Sequence, residues 1–200
     1  MCSWCYGFAP VAEALVEQAR AAGVELHLVV GGLRTGGGSA LEPSTRRYIL
    51  EHWHSVAEST GQPFRFEDAL PEGFVYDTEP ACRAIVTARS LDPDSAWQLV
   101  HLIQQAFYAE GRDTTQACVL VALAERAGLP RIEFAEAFDS AEQATATAAD
   151  FTWVQDLGIA GFPTLLAERN GQLALLTNGY QPLDELAPLL GRWLERAACA

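Results

Sequence analysis

Two cysteines near the start of the chain have the spacing of a redox pair. They stand in Met1-Cys2-Ser3-Trp4-Cys5, directly before a stretch with helical periodicity. A sulfur at a helix N-terminus meets unpaired backbone N–H groups and the positive end of the helix dipole, which favour the nucleophilic thiolate. Residues three apart in a helix lie on one face, so an attacking and a resolving sulfur would stand together. The pattern predicts dithiol–disulfide exchange by Cys2 and Cys5.

The alternative for this pair is half of a structural zinc site. Such a site needs two further ligands, and the sequence has neither a second Cys-x-x-Cys nor a paired histidine motif. His52 and His54 stand two apart on a predicted helix and point to different sides, which argues against a shared metal. We therefore expect no metal, and redox chemistry is the preferred interpretation.

The other three cysteines fit no disulfide framework. Cys82 and Cys118 fall on apolar helix stripes, where cysteine behaves as a small hydrophobic residue. Cys199 stands next to the end of the sequence, and we expect no function for it. An odd set of five cysteines without regular spacing suits a reducing compartment, and no signal peptide is visible. We expect a cytoplasmic protein.

Composition narrows the classes of partner. A net charge of −13, with every basic residue an arginine, argues against binding to nucleic acid. The longest apolar run, around residues 118–124, falls short of the roughly 20 residues that a bilayer requires, so no membrane contact is expected. The length and the hydrophobic content suffice for one well-packed domain or a domain with an insertion.

A helix and a strand are predicted after the cysteine pair. Apolar residues recur at helical spacing up to Ala22, and Gly23 ends the predicted helix. The range Val24–Val30 alternates and then becomes apolar throughout, which predicts a strand in a covered sheet, closed by Gly31-Gly32. The order at the start of the chain is thus motif, helix and strand.

Helical patterns fill most of the remaining chain from Pro43 onward, without an evident break. We interpret residues 43–157 as an inserted helical subdomain. A β-hairpin follows, in which Arg169-Asn170-Gly171 joins two short strands. A closing amphipathic helix starts near Pro182, and Pro188 is expected to kink it or delay its start.

This order of elements, with Gly161-Phe162-Pro163-Thr164 before the hairpin, resembles the DsbA family of thioredoxin-fold oxidoreductases. Within that family the range Cys2–Phe8 most resembles the FrnE-like branch. The resemblance implies an α/β, thioredoxin-like fold with a large inserted all-helical subdomain. Residues 1–34 and 158–200 would form the discontinuous thioredoxin-like domain, and residues 43–157 the insertion.

The resemblance also implies the composition of the active site. In thioredoxin folds the proline of the late motif is cis and packs against the two sulfurs, which assigns that position to Pro163. A cis bond turns the chain sharply, and proline lacks an N–H, so backbone groups of Phe162 would be free to pair with an extended substrate. Cys2 would then form a mixed disulfide that Cys5 resolves. The expected substrate-binding residues are Trp4, Phe162, Pro163 and Thr164.

Aromatic residues near the pair indicate a class of substrate. Trp4, Tyr6, Phe8 and Phe162 would surround the sulfurs with apolar surface, which suits flexible proteins or peptides that carry thiols or disulfides. Such chains and an unidentified redox recycling partner are the expected partners. No cofactor is expected beyond the redox-active disulfide itself, and glutathione could serve as a reductant.

The start of the chain departs from the family pattern. Family members carry a central strand before the active-site helix, whereas here only Met1 precedes Cys2. Loss of that strand would cost more than the roughly 5–15 kcal/mol that holds a domain together. We therefore expect the usual first strand to lie upstream in the natural protein. The alternative is strand pairing with another chain, as in a homodimer.

Two other functions stay open. Kappa-class glutathione transferases and 2-hydroxychromene-2-carboxylate isomerases share the fold and usually place Ser where Cys2 stands, so the intact pair argues against them. A non-enzymatic redox-sensing or holdase-like module would use the aromatic surface to bind peptides without catalysis. Thiol–disulfide exchange remains the preferred function.

Overall fold

A computed structural model describes the backbone of residues 1–198 and the side chains through residue 195. Along this range the elements are α1 (Ser3–Ala21), α2 (Pro43–Thr60), α3 (Glu79–Leu91), α4 (Pro93–Tyr108), α5 (Ala117–Arg126), α6 (Arg131–Phe138), α7 (Ala141–Asp156), β1 (Thr164–Arg169), β2 (Gln172–Asn178) and α8 (Leu183–Ala198). None of these helices combines the length and apolar character that crossing a membrane requires. Cys199 lies outside the described residues, so its expected lack of function stays a prediction.

Helix α1 carries the cysteine pair at its N-terminus, as predicted. Its buried face repeats at helical spacing through Val11, Leu15 and Ala19, and it shares a core with Leu186 and Leu190 of α8. Removal of these apolar side chains from water attracts the two helices to each other. The first and last helices of the described chain therefore meet in one core.

The predicted strand over Val24–Val30 is wrong. A strand requires a hydrogen-bonded neighbour, and the two described strands pair only with each other. The backbone of this segment instead bonds to side chains of two helices. The Val30 N–H donates to Asp150 Oδ2 over 3.0 Å, and Arg89 donates to the Leu28 carbonyl oxygen. The apolar side chains of the segment still pack on neighbouring cores, which accounts for its hydrophobic pattern.

The hairpin prediction is confirmed. Strands β1 and β2 pair antiparallel with Arg169 opposite Gln172, so the turn consists of Asn170 and Gly171. Both turn residues have positive φ, 52° and 75° respectively. This is the pattern of a type I′ turn, whose twist fits two antiparallel strands and which favours Asn-Gly. A local turn sequence therefore determines this part of the fold.

Helix α8 begins at Leu183 and includes Pro188. Pro188 therefore does not delay the start of the helix, and the alternative expectation of a kink stays a prediction. Proline has no N–H, so the helix loses one backbone hydrogen bond near its beginning. Leu186 and Leu190, which flank this position, are 2% and 6% exposed. Burial of this apolar face against α1 favours the helix despite the lost bond.

Helices α2 to α7 lie within the predicted range 43–157, and helices α2 to α6 contribute to two large cores. One core gathers apolar side chains of α3 to α6, including the fully buried Leu99 and Phe134. The other core is aromatic, and in it Tyr6 of α1 stacks on Tyr108 with ring centroids 5.0 Å apart. The division of the chain into two domains stays a prediction, and Tyr6 ties α1 closely to the helical range.

The helical run is interrupted, contrary to the prediction. Helix α2 ends at Thr60, and the following Gly61 has a φ of 71°, the left-handed conformation typical of a helix cap. Residues 61–78 contain no helix. Their apolar side chains complete the aromatic core from outside the helices: Phe64, Phe66, Ala69, Leu70, Phe74 and Tyr76. The hydrophobic residues of this segment therefore reflect packing rather than helical structure.

Candidate active site

The Cys2 sulfur caps the N-terminus of α1. Cys2 is the N-cap residue, with extended backbone angles of φ −132° and ψ 119°, and the Cys5 backbone N–H donates to Cys2 Sγ over 3.3 Å. The first turn of a helix leaves backbone N–H groups without partners inside the helix, and this sulfur satisfies one of them. The structure thus brings the predicted pair together, with both thiols partly buried and no disulfide between them.

The two thiols differ in acidity. A hydrogen bond from the Cys5 thiol is the main cause that lowers the pKa of Cys2 from 9.0 to about 7. The backbone N–H groups of Cys5 and Trp4 lower this pKa further, whereas burial of the sulfur opposes the shift. The same hydrogen bond, followed by burial, raises the pKa of Cys5 well above 9.0. Cys2 therefore ionises near neutral pH, whereas Cys5 keeps its proton.

The segment 161–164 lies against Cys2, although it comes from the other end of the chain. The Phe162–Pro163 peptide bond is cis. The Cys2 thiol donates a long hydrogen bond of 3.8 Å to the Phe162 carbonyl oxygen, across 160 positions of sequence. The Pro163 carbonyl oxygen accepts a hydrogen bond from the Gly179 N–H over 2.7 Å, which ties the segment to the end of β2. A backbone carbonyl is thus held beside the Cys2 sulfur.

Two further predicted substrate-binding residues flank this arrangement. Thr164 donates its hydroxyl to the Gly161 carbonyl oxygen over 2.8 Å, so this hydroxyl is engaged within its own segment. Trp4 is partly buried, and its ring centroid lies 5.8 Å from that of Tyr180. Sequence reasoning misses Tyr180, because no motif marks this residue after the hairpin.

The aromatic surface around the sulfurs is smaller than predicted. Tyr6 and Phe8 are each only 5% exposed, because they lie on the buried faces of α1. Tyr6 belongs to the aromatic core and Phe8 to the core between α1 and α8. Their assignment to a substrate-facing surface is therefore wrong. Trp4 and Phe162 remain partly exposed.

Two buried tyrosines hold the backbone directly before Cys2. Tyr76 Oη donates to the Met1 carbonyl oxygen over 3.2 Å and lies 3.4 Å from Tyr108 Oη. Burial is the main cause that raises the pKa of both phenols, so both keep their protons. Tyr108 can then donate to Tyr76 while Tyr76 donates to Met1. Sequence reasoning misses this link, because Tyr76 lies in an irregular segment and Tyr108 at the end of an ordinary amphipathic helix.

The other described cysteines have different surroundings. Cys82 is buried in a small core with Val30 and Val86, which agrees with its predicted role as a small hydrophobic residue. Cys118 is exposed, so its predicted burial is wrong. Cys118 stands in the first turn of α5, whose buried positions begin at Leu120.

The histidines considered for a metal site pack on aromatic rings instead. His54 stacks on Phe66 with ring centroids 3.9 Å apart, and His52 packs edge-on against Tyr48 at 4.4 Å. Among the described residues, no group of three or more His, Cys, Asp or Glu side chains could hold a metal ion. The reactive groups that the candidate site presents are the two thiols of Cys2 and Cys5.

Two solved structures that resemble almost the whole chain are described as proteins of disulfide exchange. A Nitrosomonas europaea protein, described as a candidate protein disulfide isomerase, has 43% sequence identity and a TM-score of 0.88, over 98% of this chain and 94% of its own. The cytosolic disulfide reductase DsbM from Pseudomonas aeruginosa has 34% identity and a TM-score of 0.80, over 96% of this chain and 94% of its own.

A more distant structure shares the fold alone. A 2-hydroxychromene-2-carboxylate isomerase has 15% identity and a TM-score of 0.65, over 99% of this chain and 95% of its own. No curated protein sequence matches the chain significantly. The family model of the DSBA-like thioredoxin domain matches residues 1–191. The chain therefore has the thioredoxin-like α/β fold and belongs to the DsbA-like family of thiol–disulfide oxidoreductases.

Proposed function

We propose that the protein is a disulfide reductase that acts on disulfides of proteins or peptides through Cys2 and Cys5. The observation that carries the exchange chemistry is the pair of free thiols with different acidities at one helix end, and the reductive direction is supported by the similarity to DsbM. Cys2, with a pKa of about 7, supplies a thiolate at neutral pH. The raised pKa of Cys5 keeps the second thiol protonated until the mixed disulfide has formed. Thiolates are the nucleophiles of disulfide exchange, so the reaction begins at Cys2.

The reaction proceeds in two exchanges. The Cys2 thiolate attacks one sulfur of the substrate disulfide, a Cys2–substrate bond forms, and the other substrate sulfur leaves as a thiolate. Cys5 then loses its proton to solvent or to that thiolate and attacks Cys2 Sγ. The Cys2–Cys5 disulfide forms, and the second substrate sulfur leaves. Two electrons pass from the enzyme dithiol to the substrate.

The backbone at Phe162 and Pro163 is the proposed docking edge for the substrate. Its support is the Phe162 carbonyl oxygen, 3.8 Å from Cys2 Sγ. An extended peptide can add to such an edge through main-chain hydrogen bonds. In this proposal Trp4 offers apolar surface, and Thr164 contributes through its backbone, since its hydroxyl already bonds to Gly161.

Glutathione is the proposed reductant of the Cys2–Cys5 disulfide. One glutathione thiolate attacks this disulfide and forms a mixed disulfide, and a second releases the dithiol as oxidised glutathione forms. Support comes from a structure of DsbM with GSH, at 30% identity and a TM-score of 0.77 over 96% of this chain and 95% of that one. The cytosolic location of DsbM and the cysteine usage of the chain favour a cytoplasmic site of action.

Trapping of mixed disulfides tests this function. Purified Cys5→Ser protein should accumulate a covalent complex with a peptide disulfide, because the resolving thiol is absent. The matched Cys2→Ser protein should accumulate none. Equal trapping by both variants, or exchange that survives Cys2→Ser, would overturn the assignment of Cys2.

The direction of electron flow needs a second measurement. With glutathione and glutathione reductase present, the wild-type protein should accelerate reduction of insulin more than it accelerates oxidation of a reduced dithiol peptide by oxidised glutathione. The opposite order would make the protein an oxidase. Isomerase activity that survives Cys5→Ala would favour the isomerase-like alternative, and peptide binding without exchange would favour a holdase-like module.

A further inference from the structure

The side chain of Phe162 rests on the backbone of Gly31. A Cβ atom built on Gly31 would lie 2.1 Å from Phe162 Cζ and 2.2 Å from Cε1, far inside the distance that two carbon atoms tolerate. Gly31 does not have the positive φ that favours glycine for conformational reasons. The close approach of the phenyl ring is therefore what requires a glycine at this position.

The backbone on both sides of Gly31 is held by helix α7. The Val30 N–H donates to Asp150 Oδ2 over 3.0 Å. The Phe151 ring packs on Gly32, where an added Cβ would lie 2.8 Å from Phe151 Cδ1. Two consecutive residues of α7 thus fix the residues before and after Gly31. We call residues 30–32 the platform.

The platform and the Cys2 sulfur contact opposite parts of Phe162. The ring of Phe162 lies on Gly31, and its carbonyl oxygen lies 3.8 Å from Cys2 Sγ. A displacement of the ring by a new side chain on the platform has to be absorbed by the side-chain torsions of Phe162 or by its backbone. Proteins pack too densely for the ring to move without consequence.

We propose that Gly31 is a positioning residue for disulfide exchange, because it seats Phe162 so that the backbone of Phe162 faces Cys2. The inference rests on the proposed function, in which this backbone aligns the substrate against Cys2. It goes beyond that function because Gly31 lies in the segment before α2, outside both the cysteine motif and the proline motif. A residue of this segment would then control the position of the docking edge. Gly31 touches no reacting atom and acts through Phe162.

The test uses two single variants and their combination. Gly31→Ala introduces the clashing Cβ, and Phe162→Leu removes Cζ and both Cε atoms, which are the atoms that this Cβ would meet. We expect Gly31→Ala to lower kcat/KM for a peptide disulfide about tenfold or more, since misplacement of about 1 Å can cost about a hundredfold. In the Phe162→Leu background, Gly31→Ala should change kcat/KM by less than about twofold.

Gly38→Ala is the matched control. Gly38 has no positive φ, and an added Cβ there would meet no atom within 4 Å. This variant should keep the wild-type kcat/KM. The pH at which iodoacetamide alkylation of Cys2 is half-maximal should also stay unchanged in Gly31→Ala, because the bonds from Cys5 remain, whereas unfolding of the site would shift it.

The outcomes separate the two proposals. A loss in Gly31→Ala that persists at full size in the Phe162→Leu background, a loss no larger than that of Gly38→Ala, or a shift of the alkylation profile would each overturn the positioning role. Exchange that survives Cys2→Ser would overturn the proposed function instead. If Gly31→Ala lowers kcat/KM only when residue 162 is Phe, and the alkylation profile is unchanged, Gly31 is established as the residue that positions Phe162.

Discussion

Arg89 and Asp150 form a bidentate ion pair between α3 and α7, with N···O distances of 2.9 and 3.0 Å. The same carboxylate accepts the Val30 N–H, and Arg89 also donates to the Leu28 carbonyl oxygen. Two side chains thus satisfy backbone groups of a segment that has no strand partner among the described residues. The pair stabilises the fold through the partners it supplies more than through its charges.

Asp150→Ala should lower the free energy of unfolding by about 2–3 kcal/mol, because it leaves the Val30 N–H and a partly buried guanidinium without their partner. Urea denaturation measures this change. Glu125→Ala is the control, since the Glu125–Arg131 pair is more than half exposed on both sides. It should cost less than about 0.5 kcal/mol. Equal losses in the two variants would contradict the role of Asp150.

Alkylation of Cys2 in the reduced protein should depend on pH with a midpoint of about 7. Below the midpoint the thiolate fraction, and with it the rate, should fall about tenfold per pH unit. Cys5→Ala removes the hydrogen bond that is the main cause of the lowered pKa, so the midpoint should move to higher pH. Iodoacetamide pulses, read by mass spectrometry on the Cys2 peptide, give both profiles. A midpoint that stays at about 7 in Cys5→Ala would assign the low pKa to the helix N–H groups instead.

Tyr76→Phe should lower the free energy of unfolding by about 1–2 kcal/mol, because the Met1 carbonyl oxygen and the Tyr108 hydroxyl lose a buried partner. Tyr48→Phe makes the same chemical change on a side chain that is 58% exposed. It should change stability by less than about 0.5 kcal/mol. Chemical denaturation of the pair of variants tests the difference, and equal stability would show that the Tyr76 hydroxyl contributes nothing.

Gly171→Ala should destabilise the protein by about 1–2 kcal/mol through backbone conformation alone. Gly171 has a φ of 75°, and an added Cβ would meet nothing within 4 Å, so no clash contributes. Thermal and urea unfolding measure the change. Gly38→Ala, at a glycine without positive φ, should not lower stability. A loss of equal size at Gly38 would remove the turn as the explanation.

Features that depend on local sequence could be predicted. The position of Cys2 and Cys5 at the start of a helix follows from the apolar periodicity after them, and the hairpin follows from Asn170-Gly171 between two apolar runs. In both cases the residues that determine the structure are neighbours in sequence. The family resemblance added the segment around Phe162, which no local pattern places beside a thiol.

Features that depend on distant partners could not be predicted. Gly31-Gly32 is expected as the end of a strand for a local reason, whereas the structure shows that Gly31 makes room for a ring 131 positions later. The range Val24–Val30 has the composition of a strand, but strand formation is decided by a neighbour that the segment itself does not encode. The hydrogen bond from Tyr76 to the Met1 carbonyl oxygen likewise cannot be predicted from the periodicity of apolar residues.

The separation of Cys2 and Phe162 by 160 positions has a consequence for the newly made chain. Residues leave the ribosome in order, so Cys2 and Cys5 are made long before Phe162. The carbonyl that faces this sulfur is synthesised only after all the helices from α2 to α7. A nascent chain therefore carries both thiols before it has the surface that would align a substrate, so substrate alignment has to wait until synthesis of the fold is nearly finished.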